Sequence, residues 1–210
     1  MEINTVTCGA LATNTYIVYR EGSKTCAVID PADGERVLQA LKECGKDCTH
    51  ILLTHGHFDH IYGVQAVKEA TGAEICIHEL DSNALTSSRS SLAILVMEIL
   101  PPQKADRLLK DGDIIHTAGL TFRVVHTPGH SEGSVMFVSD EDRLAFCGDT
   151  VFFESVGRTD LPGSSTQALI DSFFNKVLPL TGYHLYPGHD EETSVAHEAQ
   201  FNPLIRYLRR

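Results

Sequence analysis

Three histidines and one aspartate are concentrated in the segment Thr54–His60, which reads THGHFDH. Imidazole nitrogens and carboxylate oxygens are the protein ligands that Zn²⁺, Mn²⁺ and Fe²⁺ accept most readily. Packing alone does not explain four such groups side by side, because each would have to be desolvated and hydrogen-bonded separately. We therefore predict that this segment binds metal through its four polar side chains, which are His55, His57, Asp59 and His60.

The segment directly follows the apolar run His50–Leu53, which predicts a buried strand. Four ligands seldom saturate two metal ions, so further ligands are expected downstream. Three later segments repeat the pattern of an apolar run that stops at a glycine and then presents one histidine or aspartate. Glycine lets the backbone turn tightly and approach a bound group. These segments read VVHTPGH, LAFCGD and HLYPGH, and they present His130, Asp149 and His189.

In order and spacing these segments resemble the motifs of the metallo-β-lactamase superfamily. The matching sequences are THGHFDH at 54–60, TPGH at 127–130, CGDT at 147–150 and YPGH at 186–189. The run AVIDP at 27–31 also resembles the strand and turn that family members place beneath the site. Because four motifs agree, the resemblance covers nearly the whole chain. It implies a four-layer αββα sandwich of two mixed sheets flanked by helices.

The resemblance also implies a dinuclear metal centre. Histidine and carboxylate ligands without cysteine are compatible with Zn²⁺, the expected metal, and equally with Fe²⁺ or Mn²⁺. Carried over residue by residue, the first ion would be held by His55, His57 and His130, the second by Asp59, His60 and His189, and Asp149 would bridge them.

Departures within the superfamily narrow the expected activity. The β-lactamases usually lack a histidine at the position of His60 and often have a cysteine at the position of Asp149. Flavodiiron-type members carry a glutamate where His57 stands. The full ligand set is instead similar to that of glyoxalase II and ribonuclease Z. The net charge of −11, without a block of Lys or Arg, argues against nucleic acid as a substrate.

Similarity to glyoxalase II implies hydrolysis of a small acyl thioester, such as S-lactoylglutathione, by a metal-bound hydroxide. Divalent ions lower the pKa of a bound water from about 15.7 towards about 7, so hydroxide is available at neutral pH. Asp59 is the candidate catalytic residue, because as a ligand that faces the water it can orient or deprotonate it. The thiolate that leaves needs little help from a general acid.

The segment Ser155–Gly163 follows Asp149 closely and carries Arg158, a forked cation suited to a carboxylate. In glyoxalase II a lysine at the corresponding place binds a glutathione carboxylate. Only 21 residues follow His189 here, so the resemblance is to a short form without the C-terminal helical domain that completes the glutathione site. We predict that Arg158 either binds a substrate carboxylate or braces its loop through Asp160.

Three alternatives to thioester hydrolysis stay open. The first is a persulfide dioxygenase with a single Fe²⁺ held by a subset such as His55, His130 and Asp149. The second is hydrolysis of a lactone or another ester by the same hydroxide. The third is a metal-binding interaction module without activity. Metal content together with oxygen uptake would separate most of these functions.

Composition limits the remaining possibilities. No apolar stretch approaches eighteen residues, and no basic region precedes an apolar N-terminal segment, so neither a membrane span nor a signal peptide is predicted. The six cysteines show no framework spacing, and Cys44 and Cys48 lack a second pair that would complete a zinc site. A reduced, cytoplasmic protein with a small-molecule thioester substrate is expected, without nucleic-acid or membrane partners.

Hydrophobic periodicity predicts strands that first come in a run and then alternate with helices, which favours two packed sheets with helices outside them, within one domain over residues 1–210. The arginines near the C-terminus, Arg206, Arg209 and Arg210, resemble a solvated helix end. The predicted helices are Gly34–Cys44, Asp59–Thr71, Thr166–Val177 and Thr193–Tyr207. The predicted strands are Ile3–Cys8, Asn14–Arg20, Thr25–Asp30, His50–Thr54, Glu74–His78, Asp113–His116, Thr121–His126, Ser134–Val138 and Arg143–Cys147.

The segment Ser82–Asp106 is the one irregular region. A polar start leads into the apolar run Leu92–Leu100, which is followed by two prolines. Either a mobile flap beside the site or a helix with a loose entry would explain this pattern, and the helix is favoured.

Overall fold

In the computed structural model, which describes residues 1–207, most of the chain forms two six-stranded sheets with helices on their outer faces. The strands in the first half are β1 Glu2–Cys8, β2 Thr13–Tyr19, β3 Thr25–Ile29, β4 Asp47–Leu52, β5 Glu74–His78 and β6 Arg107–Leu109. Those in the second half are β7 Ile114–Thr117, β8 Leu120–His126, β9 Val135–Ser139, β10 Leu144–Gly148, β11 Val151–Phe152, β12 Ser155–Val156, β13 His184–Pro187 and β14 Thr193–Ser194. The helices are α1 Gly34–Cys44, α2 Phe58–Ile61, α3 Val64–Thr71, α4 Thr166–Ser172, α5 Val195–Phe201 and α6 Pro203–Tyr207.

The first sheet has the strand order β1-β2-β3-β4-β5-β6. Strands β1 to β3 are antiparallel, whereas β3 to β6 run parallel. The carboxyl ends of β3, β4 and β5 therefore lie at the same edge of the sheet. Loops that follow these three strands are placed side by side there, which is the usual position of a site in a parallel sheet.

The second sheet has the order β14-β13-β10-β9-β8-β7, and its only parallel pair among the described strands is β10 with β13. The register shifts between Phe146 and Gly148 at the end of β10. Gly148 adopts a left-handed conformation, and a Cβ there would collide with Thr54. This glycine therefore lets the end of β10 approach the loop after β4 in the other sheet.

The core consists of three apolar layers that account for the αββα order. Between the sheets, buried residues of the first sheet such as Ile29 and Leu52 pack on Phe122, Phe137 and Phe146 of the second. The outer face of the first sheet is covered by α1, α2 and α3. The outer face of the second is covered by α4, the turn after it, and α5. The predicted four-layer sandwich of mixed sheets is confirmed.

Helix α1 shows how local sequence sets an element. The Asp33 side chain accepts a hydrogen bond from the backbone N–H of Arg36 at 3.0 Å, which caps the first turn. Gly45 ends the helix in a left-handed conformation. Apolar residues between these caps face the first sheet, and the bounds Gly34–Cys44 agree with the prediction.

Two predicted helices are interrupted. The helix expected over 59–71 is divided at Tyr62 and Gly63, because the Gly63 backbone packs directly on Pro31 and Gly34 and donates to the Pro31 carbonyl at 2.8 Å. The segment expected to be helical from Thr193 begins as β14, and its helix stops at Asn202 before Pro203, which cannot continue the ladder. Helix α4 ends in a wider turn over Phe173–Val177, so the helical prediction for 166–177 is confirmed in outline.

The helix favoured over Leu92–Leu100 is wrong. Only a single 3₁₀ turn forms, over Ala93–Val96, and both Leu92 and Met97 adopt left-handed conformations that end it. The side chains from Ile94 to Ile99 are exposed, so no apolar face is buried to stabilise a longer helix. The predicted solvated end at the C-terminal arginines lies outside the described side chains, and Arg209 and Arg210 lie outside the described residues altogether.

Candidate metal centre

The loop between β4 and α2 places four polar side chains in the interior. His55 and His57 precede α2, and Asp59 and His60 lie in its first turn. All four are buried, and His60 is 0% exposed. Burial of four ionisable groups in one loop requires that they be paired or bound to a cation.

The first group of candidate ligands contains three imidazoles. Ring nitrogens of His55, His57 and His130 lie within 4.8 Å of one another, although His130 is far away in sequence. The His57 Nδ1 and His130 Nε2 atoms are 2.8 Å apart. Two nitrogens at this distance need a proton or a cation between them, because their lone pairs would otherwise repel.

The second group contains one carboxylate and two imidazoles. Candidate ligand atoms of Asp59, His60 and His189 also lie within 4.8 Å of one another. The Asp59 Oδ2 atom is 3.2 Å from His189 Nε2 and 3.5 Å from His60 Nε2. This group therefore offers a mixed oxygen and nitrogen environment, unlike the first.

Asp149 lies between the two groups. One carboxylate oxygen is 3.3 Å from His130 Nε2, and the other is 3.3 Å from His60 Nε2. The carboxylate also lies 3.6 Å from His189 Nε2. The structure thus brings all seven predicted ligands together, with Asp149 in contact with both groups.

Three of the candidate ligand histidines are each held through the Nδ1 atom by a residue outside the two groups. His130 Nδ1 donates to the carbonyl of Arg158 at 2.9 Å, and His189 Nδ1 donates to the carbonyl of Leu11 at 3.2 Å. His60 Nδ1 lies 2.9 Å from Asp30 Oδ2. These contacts fix the ring orientation and leave the Nε2 atom of each ring facing the centre, as is usual for metal-binding histidines.

Burial and neighbouring charges separate the two groups electrostatically. Desolvation, assisted by the surrounding imidazoles, lowers the pKa of His55 well below its usual value and that of His57 to about 3. For His60 burial opposes protonation, yet the three carboxylates around it raise its pKa well above the usual value. Burial also opposes the rise at His189, where Asp59 and Asp149 raise the pKa. His55 and His57 are therefore neutral at neutral pH, whereas His60 and His189 bind protons more readily than a free histidine.

The pKa values of Asp59 and Asp149 are lowered by neighbouring histidines. Burial favours their protonated forms, but His60 and His189 lower the pKa of Asp59, and His60 and His130 lower that of Asp149. Both side chains are therefore ionised at neutral pH. Two anionic carboxylates among five imidazoles form a site of the charge and ligand type that divalent cations prefer.

The residues fit a metal ion. The His55 Nε2 and Asp149 Oδ1 atoms are buried without a hydrogen-bond partner among the described residues. Buried polar atoms are almost always paired, so two unpaired atoms that face the same centre indicate cation ligands. A Cβ at Gly188 would collide with Asp149 Oδ1 and the His60 ring, so the backbone packs against the ligands as the sequence predicted.

Asp30 and Asp81 are two supporting residues at the same edge of the first sheet. Asp30 follows β3; its Oδ1 accepts from the Thr54 N–H at 2.8 Å, and its Oδ2 contacts the Thr54 hydroxyl and His60. Asp81 follows β5 and accepts from the Gly56 and Gly133 N–H groups at 2.9 and 2.7 Å. It also accepts from the Ser131 hydroxyl at 2.7 Å, so it ties the loop of His57 to the loop of His130.

The motif at 27–31 predicted Asp30 beneath the site, whereas no sequence motif predicted Asp81. Both follow parallel strands, as His55 follows β4. A carboxylate shortly after β5 was therefore the available signal, because the carboxyl ends of parallel strands share one edge.

Arg158 lies at the rim of the site, and its side chain is exposed. Its guanidinium makes two hydrogen bonds to Asp160, at 2.7 and 2.8 Å. Its backbone carbonyl, not its side chain, contacts the ligand His130. The predicted ion pair is present, and binding of a substrate carboxylate by Arg158 stays a prediction.

Among residues 1–207, every candidate metal-binding group consists of histidine and aspartate, and none includes a cysteine. Cys26, Cys76 and Cys147 are completely buried in the apolar core. Within the same described part of the chain, no helix has the length and apolarity needed to cross a membrane.

The fold and this centre define a class of protein: the chain belongs to the metallo-beta-lactamase superfamily, whose family model matches residues 8–194. Hydroxyacylglutathione hydrolase GloC of Haemophilus influenzae is 31% identical over 209 residues, which cover 98% of each chain.

Two solved structures are also similar to this protein. The structure of BLEG-1, described as a B3 metallo-beta-lactamase, superposes with a TM-score of 0.92 at 33% identity, covering 97% of this chain and 99% of that one. TTHA1623, solved in a di-iron-bound form, superposes with a TM-score of 0.85 at 35% identity, covering 95% and 98%.

Proposed function

We propose that this protein is a metal-dependent hydrolase of small acyl thioesters, similar to hydroxyacylglutathione hydrolase. The contact of Asp149 with both ligand groups carries the proposal, because a carboxylate between two sets of ligands fits two neighbouring divalent ions. Zn²⁺ is the expected metal, and the di-iron form of a related protein supports iron as the alternative. Likeness to GloC supports a thioester as the substrate.

Seven side chains have assigned roles in this proposal. All are buried or nearly so, and their outer partners hold them in place. The first ion would be held by His55, His57 and His130, the second by Asp59, His60 and His189, and both by Asp149.

The bound ions would supply a water that loses its proton near neutral pH and would polarise the carbonyl of the thioester. The protein contributes orientation. The Thr13 hydroxyl donates to Asp59 Oδ2 at 3.2 Å, which fixes this carboxylate in the loop. Because its pKa is lowered, Asp59 is ionised at neutral pH, and its carboxylate would accept a hydrogen bond from the attacking water.

Seclusion from solvent is a second contribution of the protein. His55 and His60 are almost completely buried, whereas His189 is partly exposed, so substrate reaches the centre from the side of His189 and Arg158. Charge that develops on the substrate oxygen would thus form in a partly desolvated site, where electrostatic stabilisation is strongest. The thiol leaves as a thiolate, so no buried general acid is required.

The test combines elemental analysis of protein purified without added metal with an assay for thiol release from S-lactoylglutathione. We expect about two metal equivalents per chain and hydrolysis that is lost on chelation and restored by Zn²⁺ or Fe²⁺. Asp171→Ala, which removes an exposed carboxylate of α4, is the control and should behave as the wild type. A fully loaded protein that releases no thiol from any acyl thioester would refute the proposal.

Hydrolysis of a β-lactam is the second candidate, since the similarity to BLEG-1 covers nearly all of both chains. The same metal-loaded preparation should be given a chromogenic cephalosporin. Turnover of the cephalosporin that exceeds thioester hydrolysis would favour this candidate. Oxygen consumption with a persulfide by an iron-loaded sample would instead favour a dioxygenase.

A further inference from the structure

Two cavities meet at the metal centre, and they differ in character. The larger, about 470 Å³, is bordered by the ligands Asp59, His130, Asp149 and His189. The smaller, about 320 Å³, lies on the other side of His57. The two cavities share His57 and Leu92, so the buried Leu92 side chain divides them.

The wall of the larger cavity opposite the ligands is apolar. Among the described residues that line this cavity, Arg158 is the one lysine or arginine, and it is already paired with Asp160. Several of its apolar side chains are exposed to solvent, Leu95 to 64% and Leu11 to 53%. The apolar wall is formed by Leu11, Phe58, Leu95, Val96, Phe152 and Leu161.

The smaller cavity has more polar and charged side chains in its lining than the larger cavity's apolar wall has. Asn83, Ser90 and Glu132 line it together with Arg89, for which no ion pair exists among the described residues. A thioester has two halves that extend in opposite directions from the scissile carbonyl, and the common thiol carriers are polar or charged. The polar cavity therefore matches the carrier, and the apolar wall matches the acyl chain.

We propose that the apolar wall binds an unbranched aliphatic acyl chain, so that the preferred substrates are medium-chain acyl thioesters of about six to eight carbons. This inference rests on the proposed thioester hydrolysis. A lactoyl group has three carbons and leaves most of a cavity of about 470 Å³ unfilled. Water-sized groups occupy roughly 30 Å³ each, so a chain of eight carbons has room there.

Exposure of the wall is the independent argument for an occupant. The segment Leu92–Leu100 failed to form the helix that would have buried its own apolar side chains, and its Leu95 and Val96 instead face the cavity above the ligands. Contiguous exposed apolar surface is costly and typically marks a binding site. The ligands at the floor of this cavity place the scissile bond beside that surface.

The first experiment uses the metal-loaded full chain and acetyl, butyryl, hexanoyl and octanoyl thioesters of one neutral carrier, N-acetylcysteamine. Each buried methylene contributes enough transfer free energy for up to about a fourfold effect, so kcat/KM should rise about two- to fourfold per methylene. A series that is flat or falls with chain length would overturn the inference while leaving thioester hydrolysis established. If no thioester is hydrolysed, the proposed function fails, and the inference fails with it.

Matched variants test which side chains of the segment contact the acyl chain. Leu95→Ser should lower kcat/KM for the octanoyl thioester by about tenfold and leave the acetyl thioester within about twofold. Ile99→Ser is the control, because Ile99 belongs to the same segment and is 86% exposed but does not line the cavity. Equal losses for both variants, or equal losses on both substrates, would show that the segment does not bind the chain.

Binding can also be measured without turnover. The octyl thioether of the same carrier lacks the scissile carbonyl, and calorimetry should show that Leu95→Ser weakens its binding while Ile99→Ser does not. Sedimentation at the assay concentration tests the other occupant, a second copy of this chain. If Leu95→Ser converts a dimer of the wild type into monomer, the wall is a protein interface and the inference is overturned.

Discussion

The two ligand groups lie side by side, but their surroundings shift the pKa values of their histidines in opposite directions. In the group of His55, His57 and His130, burial and mutual repulsion lower the pKa of His55 and His57. In the group of His60 and His189 with Asp59, nearby carboxylates raise the pKa of both histidines. Protons therefore compete with a metal ion for His60 and His189 at higher pH than for His55 and His57.

This difference follows from neighbours rather than from residue type. His55 and His60 are imidazoles of one short segment, and both are almost completely buried. The carboxylates of Asp30, Asp59 and Asp149 raise the pKa of His60, whereas neighbouring imidazoles lower that of His55. The carboxylate of Asp149 contacts both groups, and variants can test each group separately.

The largest effect is expected at Asp149, since it contacts both groups. Asp149→Ala should lower activity by more than about a hundredfold and reduce the metal content of both groups, because loss of a ligand should exceed the ten- to hundredfold effect typical of outer partners. Elemental analysis and thioester turnover measure this. Normal turnover with a full metal load would rule out the dinuclear assignment.

On acidification, the two groups should lose their metal ions at different pH values. A raised pKa means that His60 and His189 hold protons at higher pH than free histidine, whose pKa is about 6.5, so protons compete with the metal there first. The lowered pKa values keep His55 and His57 neutral to lower pH. Dialysis at stepped pH from 8 to 5 should therefore remove one metal equivalent before the other, and excess metal should restore it.

Simultaneous loss of both equivalents would contradict this electrostatic difference. Loss of activity with both equivalents retained would instead indicate protonation of the attacking water. Titration calorimetry in buffers of different ionisation enthalpy provides the control, because metal binding should displace more protons from His60 and His189 than from His55 and His57.

Asp81 and Asp30 offer a matched pair of smaller changes. Asp81→Asn should loosen the connection between the loops of His57 and His130, and Asp30→Asn should loosen the support of His60. Each should weaken metal binding by about ten- to hundredfold, at the first and the second group respectively. Competition with a chromogenic chelator measures the two affinities. Equal weakening of both sites by either variant would show that the halves are not independent.

The smallest effect is expected for Arg158→Ala. Its backbone carbonyl still supports His130, and the exposed pair with Asp160 contributes little to stability. If the side chain binds a carboxylate, KM for glutathione thioesters should rise about three- to tenfold, while neutral thioesters and metal content are unaffected. Equal losses on charged and neutral substrates together with a lower Tm would leave only the bracing role.

Much of the fold was predictable because its signals are local. Alternating and continuous apolar runs predicted β2, β3, β5 and most of the second sheet to within one or two residues. The caps at Asp33 and Gly45 set the ends of α1. The helix predicted over Leu92–Leu100 does not form, although the apolar pattern of this segment is typical of a helix. Whether an apolar face is buried depends on residues that are distant in the sequence.

The sequence by itself predicted which residue types form the centre. Five histidines and two aspartates, four of them in the segment 54–60 and the other three directly after a glycine, predicted metal ligands before any contact between them was known. The tertiary structure decided which nitrogens face inward, that Asp149 contacts both groups, and that Asp81 ties two loops together. The physical reason is the distance along the chain over which each property is set. Ligand type and strand position depend on neighbouring residues in the sequence. The contacts between the ligands, their pKa values and the apolar wall depend on residues that only the packing of the two sheets brings together.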